Sequence, residues 1–203
     1  MAEPNDEIVI IGSGLAGYGV VRELRKLDAD VSITLVTQDD GAFYSKPRLS
    51  NHLSSGRATE SLVNMTGAMM SEKNDFKLLA HHQVESINPE KHLLRTNQGD
   101  ISFGKLVLAM GASPRQPSYS NDSDRVHAVN HLKDYLKFQE HLSESSRILI
   151  YGGGLVACEF ANDLAVSGHQ VHLIARGTSL LDPLVGSLTS DQLFKALQRV
   201  GVH

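Results

Sequence analysis

The sequence is poor in the features that mark several classes of protein. Its 203 residues include one cysteine, Cys158, so no disulfide framework can form, and a single thiol is typical of a reducing compartment. The apolar runs are too short to span a bilayer, and the acidic start MAEPNDE does not fit a secretory signal. The net charge of −4 provides no basic surface for nucleic acid. We therefore expect a cytoplasmic protein with neither membrane nor nucleic-acid partners.

Metal chemistry is also not indicated. The ten histidines are scattered along the chain, and with one cysteine no C-x-x-C pair exists. No metal site is predicted.

The chain instead contains a strand–turn–helix–strand pattern near its start. A short apolar run, Ile8 to Ile11, is followed by Gly12, Gly14 and Gly17 in the spacing G-x-G-x-x-G, then by a helical pattern and a second β-branched run. The three glycines allow a tight turn, close approach of a pyrophosphate and close packing of helix on strand, in that order. The helix N-terminus presents free N–H groups to phosphates. This context predicts a dinucleotide site.

The same pattern returns about 140 residues later. An apolar run beginning at Arg147 leads into Gly152–Gly153–Gly154, a helical stretch, and a strand over Val171 to Ile174. Ala157 stands at the third glycine, where a small side chain still allows close packing. A second dinucleotide site, or a duplicated scaffold with one site, is predicted.

The sequence between and after the two motifs predicts further elements of secondary structure. We expect a polar loop over 39–56, short helices over 61–79, a β-meander over 81–103, a buried strand over 106–109, a linker over 112–124, and helices over 132–142 and 191–200. The predicted fold is α/β, with two Rossmann-like FAD/NAD(P)-binding domains, a β-meander in the first, and an incomplete second. The predicted domains are 1–115 for FAD and 116–203 for NAD(P)H.

Two motifs around a meander resemble the FAD- and NAD(P)H-dependent pyridine-nucleotide oxidoreductases. Three local stretches add to the resemblance. They are YSKPRLS (44–50), LVLAMGASPR (106–115) and GGGLVACEFANDL (152–164). The first and third are most similar to the members of this family that reduce small iron proteins, and the second is similar to the family's strand leaving the first domain.

The resemblance implies two sets of cofactor-binding residues. For FAD they are Gly12, Gly14, Leu15, Ala16, Gly17, Thr37, Asp39, Lys46, Pro47, Val84, Gly111 and Arg115. For NADH, with NADPH as the alternative, they are Gly152, Gly154, Leu155, Val156, Glu159 and Arg176. Lys46 and Glu159 are the implied catalytic residues, with Lys46 near the flavin N5 and Glu159 as its candidate partner. An ammonium near N5 stabilises a negatively charged flavin, and a nearby carboxylate offsets the desolvation of the lysine.

The sequence departs from the family pattern at both ribose positions. Thr37 stands where an acid is expected about 20 residues after the first glycines, so Asp39 is the candidate substitute. Ala175 stands where an NADH enzyme has its acid, and Arg176 follows. Arginine there can meet a 2′-phosphate, or it can be an exposed turn residue, so cofactor preference stays open.

The loop over 39–56 contains no cysteine, which excludes a dithiol relay within this chain. Cys158 lies in the first turn of the second helix, where its thiol pKa can be lowered, although a buried packing role is favoured. Electrons are therefore expected to pass directly from flavin to acceptor.

The expected function is FAD-dependent electron transfer from NAD(P)H to rubredoxin or a similar small iron protein. Alternative acceptors are ferredoxin and nitrite- or nitric-oxide-linked systems. A non-catalytic dinucleotide-binding fragment is the alternative from another class. This alternative is considered because the sequence ends at His203, before the second motif is followed by enough strands for a complete nucleotide-binding sheet. Such a fragment is expected to bind FAD weakly and to aggregate, because its sheet edges stay uncovered.

Overall fold

A computed structural model of the chain describes residues 6–114 and 124–203, which form two compact units. The described part of the first unit comprises residues 6–45 and 63–113. The second comprises residues 46–62, 114 and 124–203.

The first unit contains nine strands and two helices within its described residues. They are β1 (Ile8–Ile11), α1 (Leu15–Leu27), β2 (Ile33–Val36), β3 (Phe43–Tyr44), β4 (Val63–Met65), α2 (Gly67–Asn74), β5 (Lys77–Leu79), β6 (Val84–Asn88), β7 (Leu93–Thr96), β8 (Gly99–Ser102) and β9 (Lys105–Leu108).

A parallel sheet with strand order β5-β2-β1-β9 is the centre of this unit. All four residues of β1 are buried, because β1 is flanked by strands and covered on both faces. Ile8 and Ile10 pack on one face with Tyr18 and Val21 of α1. Val9 packs on the other face, in a cluster that includes residues of the meander. Such continuous apolar strands are typical of parallel sheets covered on both sides.

The predicted meander is confirmed as the antiparallel sheet β6-β7-β8. The predicted helices over 61–79 are only partly present. Within that stretch the structure has α2, and also β4 and β5. β5 pairs with β2 as an edge of the parallel sheet, so tertiary pairing outweighs the local preference of a short segment.

The second unit contains two strands and three helices within its described residues. They are α3 (Leu132–Glu140), β10 (Arg147–Tyr151), α4 (Leu155–Val166), β11 (Gln170–Ile174) and α5 (Ser187–Arg199). β10 and β11 are parallel, and Val202 forms a parallel bridge with Val171. Cys158, Ala161 and Leu164 of α4 pack against Val171 and Leu197. On the same strand pair Leu149 stays 64% exposed and Ile174 50%, so one face of this smaller sheet is largely uncovered.

The two units differ from the predicted domains at residues 46–62. These residues were expected to belong to the first domain, but they pack with the second unit. Residues 46–51 and 53–55 form 3-10 turns within the stretch predicted as a polar loop. They contact α4, and Leu53 joins the apolar cluster around that helix. The physical reason is a set of hydrogen bonds to two α4 carboxylates.

Candidate functional site

The first glycine turn is tightly packed against its neighbours in the fold, which are Ala109 after β9 and Gly17 of α1. Gly12 has a φ of +110°, a conformation that L side chains rarely adopt, and its N–H donates to the carbonyl of Val36 at 2.8 Å. A methyl group at Gly12 would overlap the carbonyl oxygen of Ala109, and one at Gly17 would overlap that of Gly12. Both positions therefore require glycine for steric reasons. The predicted roles of these glycines in the turn and in helix packing agree with this geometry.

The N-terminus of α1 is open to a ligand. Gly14 is its N-cap, with no side-chain cap, so the first N–H groups of the helix are not bonded by a capping side chain. A methyl group at Gly14 would meet no atom of the described residues within 4 Å. Leu15 is 49% exposed, and Ala16 is also exposed. This is the arrangement that receives a phosphate.

A hydrogen-bonded triad lies beside this turn. Ser13 Oγ lies 2.9 Å from Thr37 Oγ1 and donates to Asp39 Oδ1 at 3.0 Å. Thr37 Oγ1 lies 2.7 Å from the same oxygen of Asp39. Thr37, at the position expected for the ribose acid, is buried, whereas Asp39 is exposed. Asp39 is therefore the carboxylate that the fold brings to the glycine turn. Ser13 was not predicted, because an unspecified position of the motif carries no sequence signal.

Two further predicted FAD residues lie in the first unit. Val84 packs, partly buried, against the cluster around Val9. Gly111 has a φ of +72° and follows β9 after two residues. Arg115, also predicted, lies outside the described residues.

The second glycine turn has the same backbone pattern but looser surroundings. Gly152 has a φ of +139°, and its N–H donates to the carbonyl of Ile174 at 2.8 Å. A methyl group there would lie 3.8 Å from the Cβ of Ala157. Gly154 is the N-cap of α4 and has no side-chain cap. This helix N-terminus therefore resembles that of α1.

The residues around the second turn are largely exposed. Leu155 and Val156, in the first turn of α4, are 57% and 59% exposed. Ala175 is adjacent to the turn, because a Cβ added at Gly153 would lie 2.7 Å from the Cβ of Ala175. Arg176, the next residue, is exposed. Ala175, the first residue after β11, thus lies at the position where a ribose-binding side chain acts in dinucleotide folds.

The segment that carries Lys46 and Pro47 is held on α4 by Glu159. Ser50 Oγ donates a short hydrogen bond to Glu159 Oε2, and it also lies 3.1 Å from the carbonyl of Pro47. Within residues 6–114 and 124–203, neither Lys46 nor Glu159 forms an ion pair. The suggested partnership of Lys46 with Glu159 is therefore not present, since the carboxylate bonds a serine hydroxyl instead. Both remain candidate catalytic residues.

A second carboxylate of α4, Asp163, binds the same segment and was missed by sequence reasoning. It is 1% exposed, and it accepts the backbone N–H of Leu53 at 3.0 Å and that of Ser54 at 2.9 Å. Ser54 Oγ donates to it at 2.5 Å. The available signal was its position four residues after Glu159, which places both acids on one helix face.

Cys158 is a packing residue. It is 6% exposed within the α4 cluster, and burial, followed by the nearby Glu159, raises the pKa of its thiol. A raised pKa disfavours the reactive thiolate, so the favoured buried role agrees with the structure.

Neither a metal site nor a membrane span is found within the described residues. His127 and His131 have the spacing of a helical ligand pair, but α3 begins only at Leu132. No cluster of three metal-binding side chains occurs in residues 6–114 and 124–203. In the same ranges no helix is sufficiently long and apolar to cross a membrane.

The fold and these two open helix N-termini define a dinucleotide-binding α/β protein with two nucleotide turns. Residues 6–203 match the pyridine nucleotide-disulphide oxidoreductase family, and the chain belongs to this family.

Relatives in this family are named as reductases linked to NAD(+). The chain is 40% identical over 203 residues to rubredoxin-NAD(+) reductase of Acinetobacter baylyi, covering 97% of the chain and 52% of the relative. It is 38% identical to nitric oxide reductase FlRd-NAD(+) reductase of Aeromonas hydrophila, covering 97% and 50%. The chain thus spans about half the length of these relatives.

A solved structure agrees with this assignment. The ferredoxin reductase for the CYP199A2 system from Rhodopseudomonas palustris superimposes with a TM-score of 0.88 at 25% identity. The match covers 98% of this chain and 50% of that one. The predicted α/β class with two Rossmann-like segments is confirmed.

Proposed function

We propose that the protein is an FAD-dependent reductase that takes electrons from NAD(P)H and passes them to a small iron protein, with rubredoxin as the first candidate. The observation that carries this proposal is the pair of glycine turns, each ending at an uncapped helix N-terminus. The names of the relatives support the same class of reaction. The proposed FAD domain is 1–115 and the proposed NAD(P)H domain is 116–203, although residues 46–62 pack with the second compact unit.

The residues of the first unit fit the phosphates of FAD. Gly14 leaves the N-terminus of α1 accessible, and a Cβ at Gly12 or Gly17 would fill the turn. Asp39 is exposed beside the turn and can accept from ribose hydroxyls, the role usually taken by an acid at the position of Thr37. Bound FAD would supply the electron-transfer chemistry, and this unit would bind and orient it.

Lys46 and Glu159 are the proposed catalytic residues of the second unit. Lys46 supplies a positive charge and Pro47 a rigid apolar ring. Glu159 keeps the segment on α4 through Ser50. Because Glu159 is not bonded to Lys46, the ammonium is available to a negatively charged group.

NADH is the proposed electron donor, in accordance with the names of the relatives. A specific observation favours NADPH as a second candidate. Ala175 lacks the carboxylate that would repel a 2′-phosphate, and the exposed Arg176 follows it.

The acceptor is proposed from chemistry and relatives together. The chain shown has no cysteine pair, so no internal dithiol accepts the electrons. The names of the relatives make the one-electron iron centre of a protein such as rubredoxin the proposed acceptor. Ferredoxin and the nitrite- or nitric-oxide-linked systems are the alternatives. The free thiol at Cys158 suits the cytoplasm, which is the proposed location.

Anaerobic titration of the FAD-loaded protein with NADH and with NADPH tests this proposal. We expect either nucleotide to bleach the flavin absorbance. We then expect reduction of cytochrome c that depends on added rubredoxin or ferredoxin. A flavin that neither nucleotide bleaches would instead favour the non-catalytic binding module.

A further inference from the structure

Two carboxylates on one face of α4 hold the segment that begins at Lys46. Glu159 accepts a hydrogen bond from Ser50, and Asp163, one helical turn further, accepts from Leu53 and Ser54. The segment is therefore attached to two successive turns of this helix. All of these residues belong to the second unit.

Asp163 makes the more extensive attachment. Both of its oxygens are used, since Oδ2 accepts from Leu53 and Oδ1 from the backbone and the hydroxyl of Ser54. Hydrogen bonds to an ionised carboxylate are roughly twice as strong as neutral ones. The carboxylate is 1% exposed, so a lost partner would not be replaced by bulk water.

Side-chain packing at His52 and Leu53 holds the segment at the same place as the hydrogen bonds to Asp163. His52, next to the bonded residues, is 3% exposed, and its ring packs edge-on against Tyr135 with centroids 6.0 Å apart. Leu53 contacts the cluster formed by α4, β11 and α5. The anchor is thus rigid, whereas Lys46 lies at the far end of the 3-10 turns, partly exposed.

We propose that Asp163 is a positioning residue of the reductase, which fixes the segment carrying Lys46 and Pro47 to the helix that starts at the second glycine turn. This inference rests on the proposed function, because it assigns the anchored lysine to the flavin reaction. α4 then has two roles. Its N-terminus faces the nicotinamide nucleotide, and its carboxylates set the position of the lysine segment.

Position matters here because hydride transfer depends steeply on geometry. A misplacement of about 1 Å can reduce a rate by about 100-fold even when the changed residue is distant from the chemistry. Loosening the anchor should therefore lower the rate of flavin reduction at saturating nucleotide more than it weakens nucleotide binding. A residue that only stabilises the fold would not separate these two quantities.

The experiment compares graded variants of the FAD-loaded protein. Asp163→Asn keeps the size of the side chain but turns an amide N–H toward backbone N–H groups. Ser54→Ala removes only the hydroxyl donor. The matched controls are Ser55→Ala, whose hydroxyl bonds the His52 carbonyl within the segment, and Asp191→Asn on the exposed side of α5.

Two quantities are measured for each variant. The first is hydrogen exchange of the Leu53 and Ser54 amides. The second is the stopped-flow rate of flavin bleaching as a function of NADH and NADPH concentration. For Asp163→Asn we expect faster exchange and a limiting rate reduced about tenfold, with the apparent nucleotide affinity within about twofold of the parent. Ser54→Ala should show the same pattern more weakly, and the controls should match the parent.

The outcomes separate this inference from the proposed function. An Asp163→Asn protein that exchanges faster but is reduced at the parental rate would overturn the positioning role alone. Unchanged exchange would also overturn it. If the parent is not bleached by either nucleotide, the proposed function fails and this inference fails with it. If Asp163→Asn does not fold, Ser54→Ala decides, and a parental rate in that variant counts against the inference.

Discussion

A methyl group added at Gly12 would overlap the carbonyl oxygen of Ala109, whereas one added at Gly152 would only touch the Cβ of Ala157, at 3.8 Å. These two glycines occupy equivalent positions in the two strand–turn–helix units. β1 lies between β2 and β9, and the residue after β9 closes over the first turn. In the part of the chain that the structure describes, β10 pairs with β11 only. The comparison shows that neighbouring strands, as well as the motif itself, decide how strictly a turn requires glycine.

The two units also differ after their second strands. Asp39 forms a hydrogen-bonded triad with Ser13 and Thr37 beside the first turn. At the second turn Ala175 and Arg176 provide no carboxylate. The first turn is thus tight at Gly12 and acidic at its edge, and the second is looser at Gly152 and basic at its edge. This difference gives each proposed nucleotide a distinct environment.

Gly17→Ala should have the largest effect, because its Cβ would overlap the carbonyl oxygen of Gly12. We expect a loss of about 3 kcal/mol in the free energy of unfolding, as for an overpacked core, together with loss of FAD binding. Urea unfolding followed by circular dichroism measures the first quantity, and flavin fluorescence the second. Gly19→Ala, in the same helix with no described atom near its added Cβ, is the control and should be slightly stabilising. Similar stabilities for the two variants would contradict the steric argument.

Asp39→Ala should weaken FAD binding about tenfold, equivalent to about 1.4 kcal/mol. The reason is the loss of the exposed carboxylate beside the first turn. The matched control is Asp40→Ala, since the Asp40 carboxylate accepts the nearby N–H of Ala42 at 3.0 Å. Isothermal titration of the apoprotein with FAD gives both affinities. Equal losses for the two variants would remove Asp39 from the proposed ribose site.

Arg176→Ala should lower the ratio of kcat/KM for NADPH to that for NADH about fivefold, because an exposed charge contact to a 2′-phosphate is worth about 1 kcal/mol. Steady-state reduction of ferricyanide with each nucleotide measures the ratio. Arg199→Ala, an exposed arginine at the end of α5, serves as the reference variant. A ratio that does not change on loss of Arg176 would leave NADH as the only supported donor.

Ala157→Gly should have the smallest effect, although it restores the full glycine pattern in the second turn. We expect a loss of about 1 kcal/mol in stability from the lower helix propensity of glycine. NAD(P)H binding should not improve, because the turn already accommodates alanine. Thermal unfolding and nucleotide titration test these expectations. Tighter nucleotide binding would mean that Ala157 constrains the second turn after all.

The structure contains several features that the sequence predicted correctly. The glycine spacings, the apolar runs before them and the helices after them are local patterns. The meander was also readable, because alternating strands and turn residues at Asn88–Pro89 and Asn97–Gln98–Gly99 are close in sequence.

Other features depended on contacts between residues distant in sequence. β5 was predicted as part of a helical region, but its pairing with β2 makes it a strand. Ser50 and Glu159 are 109 residues apart, so no spacing rule connects them. The same holds for Asp163, whose sequence position marks only an acid on a helix. These long-range bonds also moved residues 46–62 from the predicted first domain to the second unit.

The sequence by itself determined the two nucleotide turns, the α/β class and the absence of a cysteine pair, because each depends on residues within one short stretch. Only the tertiary structure decided which glycines are sterically required, which acid lies beside the first turn, and where the lysine segment is attached. These properties depend on Ala109, the residue after β9, packing against Gly12 and on the α4 carboxylates bonding residues 50–54. The residues in these contacts are far apart along the chain, so no local sequence pattern predicts that the fold places them side by side.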